Sequence, residues 1–126
     1  MIDRASVQTW LDKYIEAWRT YDRQQIADLF CEDAVYHYNP FDEGDRGREA
    51  IIATWLDNPD SPESWHAEYY PIAVDGDVAV AHGRTQYFED DRVTIRQEFD
   101  NIFVIRFDDD AKCAEFCEWY MVPRQD

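Results

Sequence analysis

Lysine is nearly missing from this chain, occurring only as Lys13 and Lys112. Twelve basic residues stand against 28 acidic ones, for a formal net charge of −16. A surface so short of positive charge repels phosphate backbones and anionic headgroups, which argues against nucleic acid and membranes as partners. It suits a high-salt cytoplasm, where screening weakens self-repulsion, and it equally describes an ordinary acidic protein. No apolar run approaches the ~20 residues of a membrane span. The opening MIDRASVQTW lacks the charged-then-apolar pattern of a secretory signal, so the expected location is cytoplasmic. A glycine-rich phosphate loop, a Ser/His/Asp arrangement and zinc-type Cys or His spacing are also missing, and no metal or cofactor is expected. Cysteine is sparse. On one strand, Cys113 and Cys117 would stand ~13 Å apart, too far for a disulfide. With Cys31 they read as small buried hydrophobes or surface thiols.

What is present is an apolar fraction of 45% and an aromatic fraction of 16% in 126 residues. That is enough for one domain over 1–126 with a core needing no metal or disulfide. In Ser6 to Tyr21, residues Val7, Trp10, Leu11, Tyr14, Trp18 and Tyr21 recur at spacings of three and four, an amphipathic helix that Ser6 or Asp3 can cap. Asp22, followed three residues later by Gln25, opens a short second helix with Ile26, Leu29 and Phe30 inside. A strand over Ala34–Tyr38 runs into Asn39-Pro40, and an acidic loop follows. Gly47 begins a third helix with Ile51, Ile52, Trp55 and Leu56 inside, ended by the breaker cluster Asn58-Pro59-Asp60-Ser61-Pro62.

Strands then follow over Ser64–Val74 and Val78–Phe88. The last is a hairpin, FDNIFVIRFDDDAKCAEFCEWYM from Phe99 to Met121, whose two runs alternate around an acidic turn. Helices first and strands later give an α+β order. Three helices are expected to cover a strongly curved, mainly antiparallel sheet whose last two strands are the longest, leaving a cavity where they fail to fill it.

These residues resemble the nuclear transport factor 2-like superfamily, and within it the SnoaL-like and ketosteroid-isomerase-like proteins. The carriers are the first helix with Trp18, LFCEDAVYHYNPF, the start Gly47-Arg48-Glu49-Ala50-Ile51, VDGDVAVAHGRTQY and the final hairpin. The resemblance implies a cone-shaped α+β fold with a deep pocket and, commonly, a homodimer through the outer sheet face. It implies no single reaction, because isomerases, hydratases, epoxide hydrolases, cyclases and non-enzymes share the fold. Ketosteroid isomerases carry a general-base Asp before the proline ending the first strand. Here that position is Asn39, or Tyr38 in a shifted alignment, and the oxyanion-hole Asp falls near Phe103, so steroid isomerisation is not expected. Limonene epoxide hydrolases use an Arg-x-Asp pair and a last-strand Asp; the matching residues are Arg84, Gln86 and Glu118.

The candidate catalytic residues are therefore Glu118 and Arg84. Glu118 lies among Phe116 and Tyr120, where desolvation would raise its pKa. Alternatively its face is solvated, or it is a structural partner of Arg84, and these readings stay open at this point. Candidate pocket residues are Tyr14, Trp18, Tyr38, Asn39, Trp55, His82, Gln86, Asn101, Phe103 and Tyr120, with Tyr69 completing an aromatic wall. The expected function is binding of a small, largely apolar molecule, with acid–base or water-addition chemistry or as a non-catalytic module. The late strands' outer face, with Ile102, Val104, Cys113, Cys117 and Trp119, is apolar enough to predict a homodimer.

Overall fold

The computed structural model describes residues 1–124; residues 125 and 126, the end of the expected 1–126 domain, lie outside the described residues. Helix α1 (Arg4–Thr20) starts on a reciprocal cap. Asp3 Oδ1 accepts from Ser6 N at 2.8 Å, and Ser6 Oγ accepts from Asp3 N at 2.9 Å. Tyr21, in the left-handed region at φ 52°, ends the helix with its N–H on Ala17 O. Of the predicted stripe, Val7, Trp10, Leu11 and Tyr14 are buried, joined by Ala17, while Trp18 and Tyr21 are half-buried.

Helix α2 (Arg23–Ala27) is capped by Asp22, but it stops before Leu29, and Phe30 belongs to the next element. Strand β1 spans Phe30–His37, four residues earlier than the sequence pattern indicates. The cause is tertiary. Cys113 N donates to Leu29 O at 2.8 Å, and Phe30 pairs with Cys113, so a parallel ladder claims this backbone before the helix can extend. A two-residue strand β2 (Asp45–Arg46) pairs with β1 inside the predicted acidic loop, and α3 (Arg48–Asp57) begins at Gly47.

Strands β3 (Trp65–Asp75), β4 (Val78–Phe88), β5 (Ile95–Phe107) and β6 (Cys113–Met121) form an antiparallel meander. The complete sheet runs β2-β1-β6-β5-β4-β3, with β1 parallel to β6, so it is mixed but mainly antiparallel. Register shifts interrupt four of its five pairings and bend it around the helices. The curved sheet with three helices matches the expected α+β cone. The final strands are not jointly the longest: β5 has 13 residues, but β6 has 9 against 11 for β3 and β4. Met121 is the last residue of β6 paired to β5, and Pro123, which has no N–H to donate, follows two residues on.

The core lies between α1, α3 and the inner sheet face, with Leu11, Phe30, Phe103 and Phe116 among its largest fully buried side chains. Cys113 is in this core at 0% exposure, not on the outer face. Arg106 pairs with Glu115 and Phe107 with Cys113, so Ala114 is an extra residue and the alternation reverses across it. At Gly83 the strands leave no room for a side chain. An added Cβ would lie 2.0 Å from Glu68 O and 2.4 Å from Tyr69 Cδ1, so the Tyr69 ring rests on bare backbone. Among the described residues no helix is long and apolar enough to cross a membrane.

Candidate functional site

Where the helices part from the inner sheet face, a cavity of about 390 Å³ remains. Tyr14 and Trp18 reach it from α1, with Tyr21 just beyond the helix end; Thr54 and Trp55 enter from α3. Tyr36 on β1 and Tyr38 just after it form one wall. The sheet supplies Tyr69, Thr85, Tyr87, Phe99, Asn101, Phe103, Glu118 and Tyr120, and the loop after α3 supplies Asn58 and Asp60.

A directed chain of three hydrogen bonds links four strands of this wall. Thr85 Oγ1 donates to Asn101 Oδ1 at 2.9 Å, which leaves Tyr69 O–H to donate to Thr85 Oγ1 at 2.5 Å. Asn101 Nδ2 then donates to Glu118 Oε2 at 2.6 Å. The register makes this possible, because Asn101 sits opposite Gly83 on β4 and opposite Tyr120 on β6. Glu118 Oε1 takes no protein donor among the described residues and is not a sealed atom, so it opens to the cavity.

Burial pushes the Glu118 carboxyl up to about 7, and the Asn101 bond only partly opposes that rise. The tyrosine hydroxyls stay protonated. Burial raises Tyr14, Tyr36, Tyr69 and Tyr87, and the Glu118 charge raises each further. Tyr14 and Tyr36 hydroxyls meet at 2.7 Å. Two O–H groups sharing one bond leave one proton free to donate to a ligand oxygen. Tyr38 O–H is spent on Asp45 at 2.9 Å. Asp60 Oδ2 accepts from Trp18 Nε1 at 3.2 Å and from Tyr21 O–H at 3.4 Å. Among the described residues no group of three or more His, Cys, Asp or Glu side chains converges as a metal site would require.

This geometry accompanies a sequence match. The family model described as SnoaL-like domain matches residues 11–116. The chain belongs to the SnoaL-like family. No curated protein matches its sequence. Among solved structures it is similar to a protein of Kribbella flavida DSM 17836, provisionally named as a ketosteroid isomerase, at TM-score 0.73 and 14% identity over 98% of this chain and 84% of the other. It is also similar to an NTF-2 like protein of unknown function from Burkholderia xenovorans LB400, at TM-score 0.71 and 14% identity over 97% and 88%. At such identity these likenesses establish the fold, which is nuclear transport factor 2-like.

Within this SnoaL-like domain, the cavity brings together Tyr14, Trp18, Tyr38, Trp55, Asn101, Phe103, Glu118 and Tyr120 from the sequence candidates. Four candidates lie elsewhere. Arg84, His82 and Gln86 project from the opposite sheet face, because Ala79, Ala81, Gly83 and Thr85 are the inward set of β4. There Asp100 ties two of them, accepting from His82 Nε2 at 2.9 Å and Arg84 Nε at 3.1 Å, while Tyr70 O–H donates to His82 Nδ1 at 2.6 Å. Burial raises the Asp100 pKa, but the His82 and Arg84 bonds outweigh it and hold the carboxyl below its usual range. Gln86 is held by Glu98 at 2.7 Å. Asn39 folds into the turn after β1, its side chain accepting from Phe41 N at 2.8 Å. Arg84 is thus no partner of Glu118, and the pairing of the two is overturned. Of the residues this site uses, the sequence reading missed Tyr21, Tyr36, Asp60, Thr85 and Tyr87. Thr85 and Tyr87 were legible from the small, apolar parity of β4; Asp60 had only its place in a breaker cluster.

Proposed function

We propose that this SnoaL-like domain binds a small, largely apolar molecule and moves a proton on it, with Glu118 as the base. The observation that carries this reading is a desolvated carboxylate with one oxygen open to an aromatic cavity and no cationic partner among the described residues. A base whose pKa sits near operating pH combines a populated basic form with useful driving force. The free hydroxyl proton of the Tyr14–Tyr36 pair supplies the complementary element, a neutral donor for oxygen charge developing on the substrate. Abstraction of a proton beside a carbonyl, or from a water added to the substrate, uses both groups.

5-Nitrobenzisoxazole tests this without knowledge of the natural substrate. Its ring opens when a base removes the C3 proton, and an apolar cavity accelerates the step by desolvating the carboxylate. The rate is expected to rise with pH through one inflection near 7 and then level off, since the ionised Glu118 is the active form. A rate at buffer background, or one with no inflection between pH 5 and 9, would leave only a non-catalytic binding module.

The outer sheet face is proposed to pair two copies of the chain. Ile72, Trp119 and Met121 are exposed there at 45%, 44% and 74%, beside half-buried Ile102, Val104 and Cys117. Sedimentation at micromolar concentration is expected to give a dimer that Trp119→Glu converts to a monomer. A monomeric parent in both low and high salt contradicts the proposal.

A further inference from the structure

The charge content of the cavity narrows its ligand. Among the described residues its lining holds two carboxylates, Glu118 and Asp60, and no lysine, arginine or histidine. Cations are nearby but turned elsewhere. The Arg19 guanidinium lies over the Trp65 ring at 5.5 Å and Arg96 over the Tyr87 ring at 5.7 Å, and neither pairs with Asp60 or Glu118. Both hydrogen bonds to the Asp60 carboxylate go to Oδ2, leaving Oδ1 without a protein donor among the described residues. Trp18, bonded to that same carboxylate, is covered on one face by Trp65 at 3.6 Å and gives the cavity its remaining surface. Asp60, Tyr87 and Glu118 all line this one cavity.

We infer that the natural ligand carries an ammonium or iminium cation, seated between the Asp60 carboxylate and the Trp18 and Tyr21 rings, with its apolar body reaching toward Glu118. This rests on the reading of the cavity as a ligand site. Three physical terms agree. An aromatic face attracts a cation through its quadrupole, more strongly once water is excluded. A partly buried carboxylate whose two hydrogen bonds both come from neutral donors gains by receiving a cation on its other oxygen. The net charge of −16 concentrates cations around the protein and repels anions. An anionic ligand would face two carboxylates with no counter-charge in the lining, and a neutral one would leave Asp60 Oδ1 unused.

Three probes of one shape decide the matter: benzyltrimethylammonium, its uncharged isostere neopentylbenzene, and benzylsulfonate, each titrated against tryptophan fluorescence. The cation is expected to bind at least tenfold tighter than neopentylbenzene, with an affinity that falls as salt rises, and benzylsulfonate is expected not to saturate. Asp60→Asn, whose amide oxygen can still accept from Trp18 and Tyr21, should weaken the cation at least fivefold and leave neopentylbenzene unchanged. Should that variant melt early, Glu118→Gln at pH 8 serves as the second variant, with a weaker loss of the same sign. Equal or tighter binding of the neutral isostere, saturable binding of the sulfonate, no binding of any probe, or a cation preference untouched in both variants overturns the inference. The nitrobenzisoxazole rate is independent of all these outcomes. A protein with that rate but no cation preference keeps its acid–base function and loses only the ligand class.

Discussion

Glu118→Gln is expected to lower the nitrobenzisoxazole rate by about 10²–10⁴-fold, the usual contribution of a positioned general base. Gln has the shape of Glu and an oxygen that can accept the Asn101 Nδ2 bond, so the Tyr69–Thr85–Asn101 chain is retained. What disappears is the ionisable group. The melting behaviour separates loss of chemistry from loss of fold, and its sign follows from linkage. The folded-state pKa of about 7 lies above the ordinary 4.5, so the native protein holds this proton more tightly than the unfolded chain. Its contribution to stability is therefore complete below about 4.5, is lost as pH rises toward 7, and is level above. At pH 8 the parent must bury a charge that the variant does not, so Glu118→Gln should melt at or above the parent temperature. Near pH 4 the difference should vanish. Retained activity removes Glu118 from the mechanism, and a lower melting temperature at pH 8 shows that the carboxylate is structural.

How far the sequence disclosed this site depends on whether neighbouring residues or distant ones set each position. Helix α1 was legible because its cap, its 3.6-residue stripe and its end all lie within the helix and its immediate flanks. Asn101 and Glu118 were legible because each is a polar residue among aromatics at period two, on strands that bury one face. The parity of β4 was misjudged by following the epoxide hydrolase resemblance to Arg84 and Gln86. The opposite set, Ala79, Ala81, Gly83 and Thr85, has the small side chains that a wall already crowded by Tyr69 and Phe103 can accept. Hydropathy alone favours that set for the interior. Phe30 and Asp60 carried no sufficient local signal. Phe30 leaves its helix for a ladder with Cys113, and the Asp60 backbone N–H donates to Tyr21 Oη, 39 positions away.

Phe116→Ala is expected to destabilise the protein by about 3–5 kcal/mol, the range for removing a fully buried aromatic ring. For a chain of this length that corresponds to a fall in melting temperature of about 10–20 °C. Phe116 is 0% exposed and stands at the centre of the aromatic packing. It stacks on Tyr36 with centroids 4.3 Å apart and planes 7° apart, and lies 5.7 Å from Tyr14 at 12°. Phe103 and Trp10 close over it at 4.7 and 6.3 Å. The rings it supports are those whose hydroxyls meet in the cavity, so the void would open directly behind the Tyr14–Tyr36 pair. Phe116→Ala should therefore also lose proton-transfer rate at temperatures where it is still folded, because a donor displaced by a fraction of an ångström no longer meets the developing charge. Phe116→Leu refills most of the space and should recover much of both losses. The measurements are thermal melts and the nitrobenzisoxazole rate of all three proteins well below their transitions. A fall of less than about 3 °C for the alanine variant would place Phe116 among tolerant positions and disconnect the core from the site. A large fall with an unchanged rate would show that the hydroxyl pair is held by α1 and β1 without the ring between them.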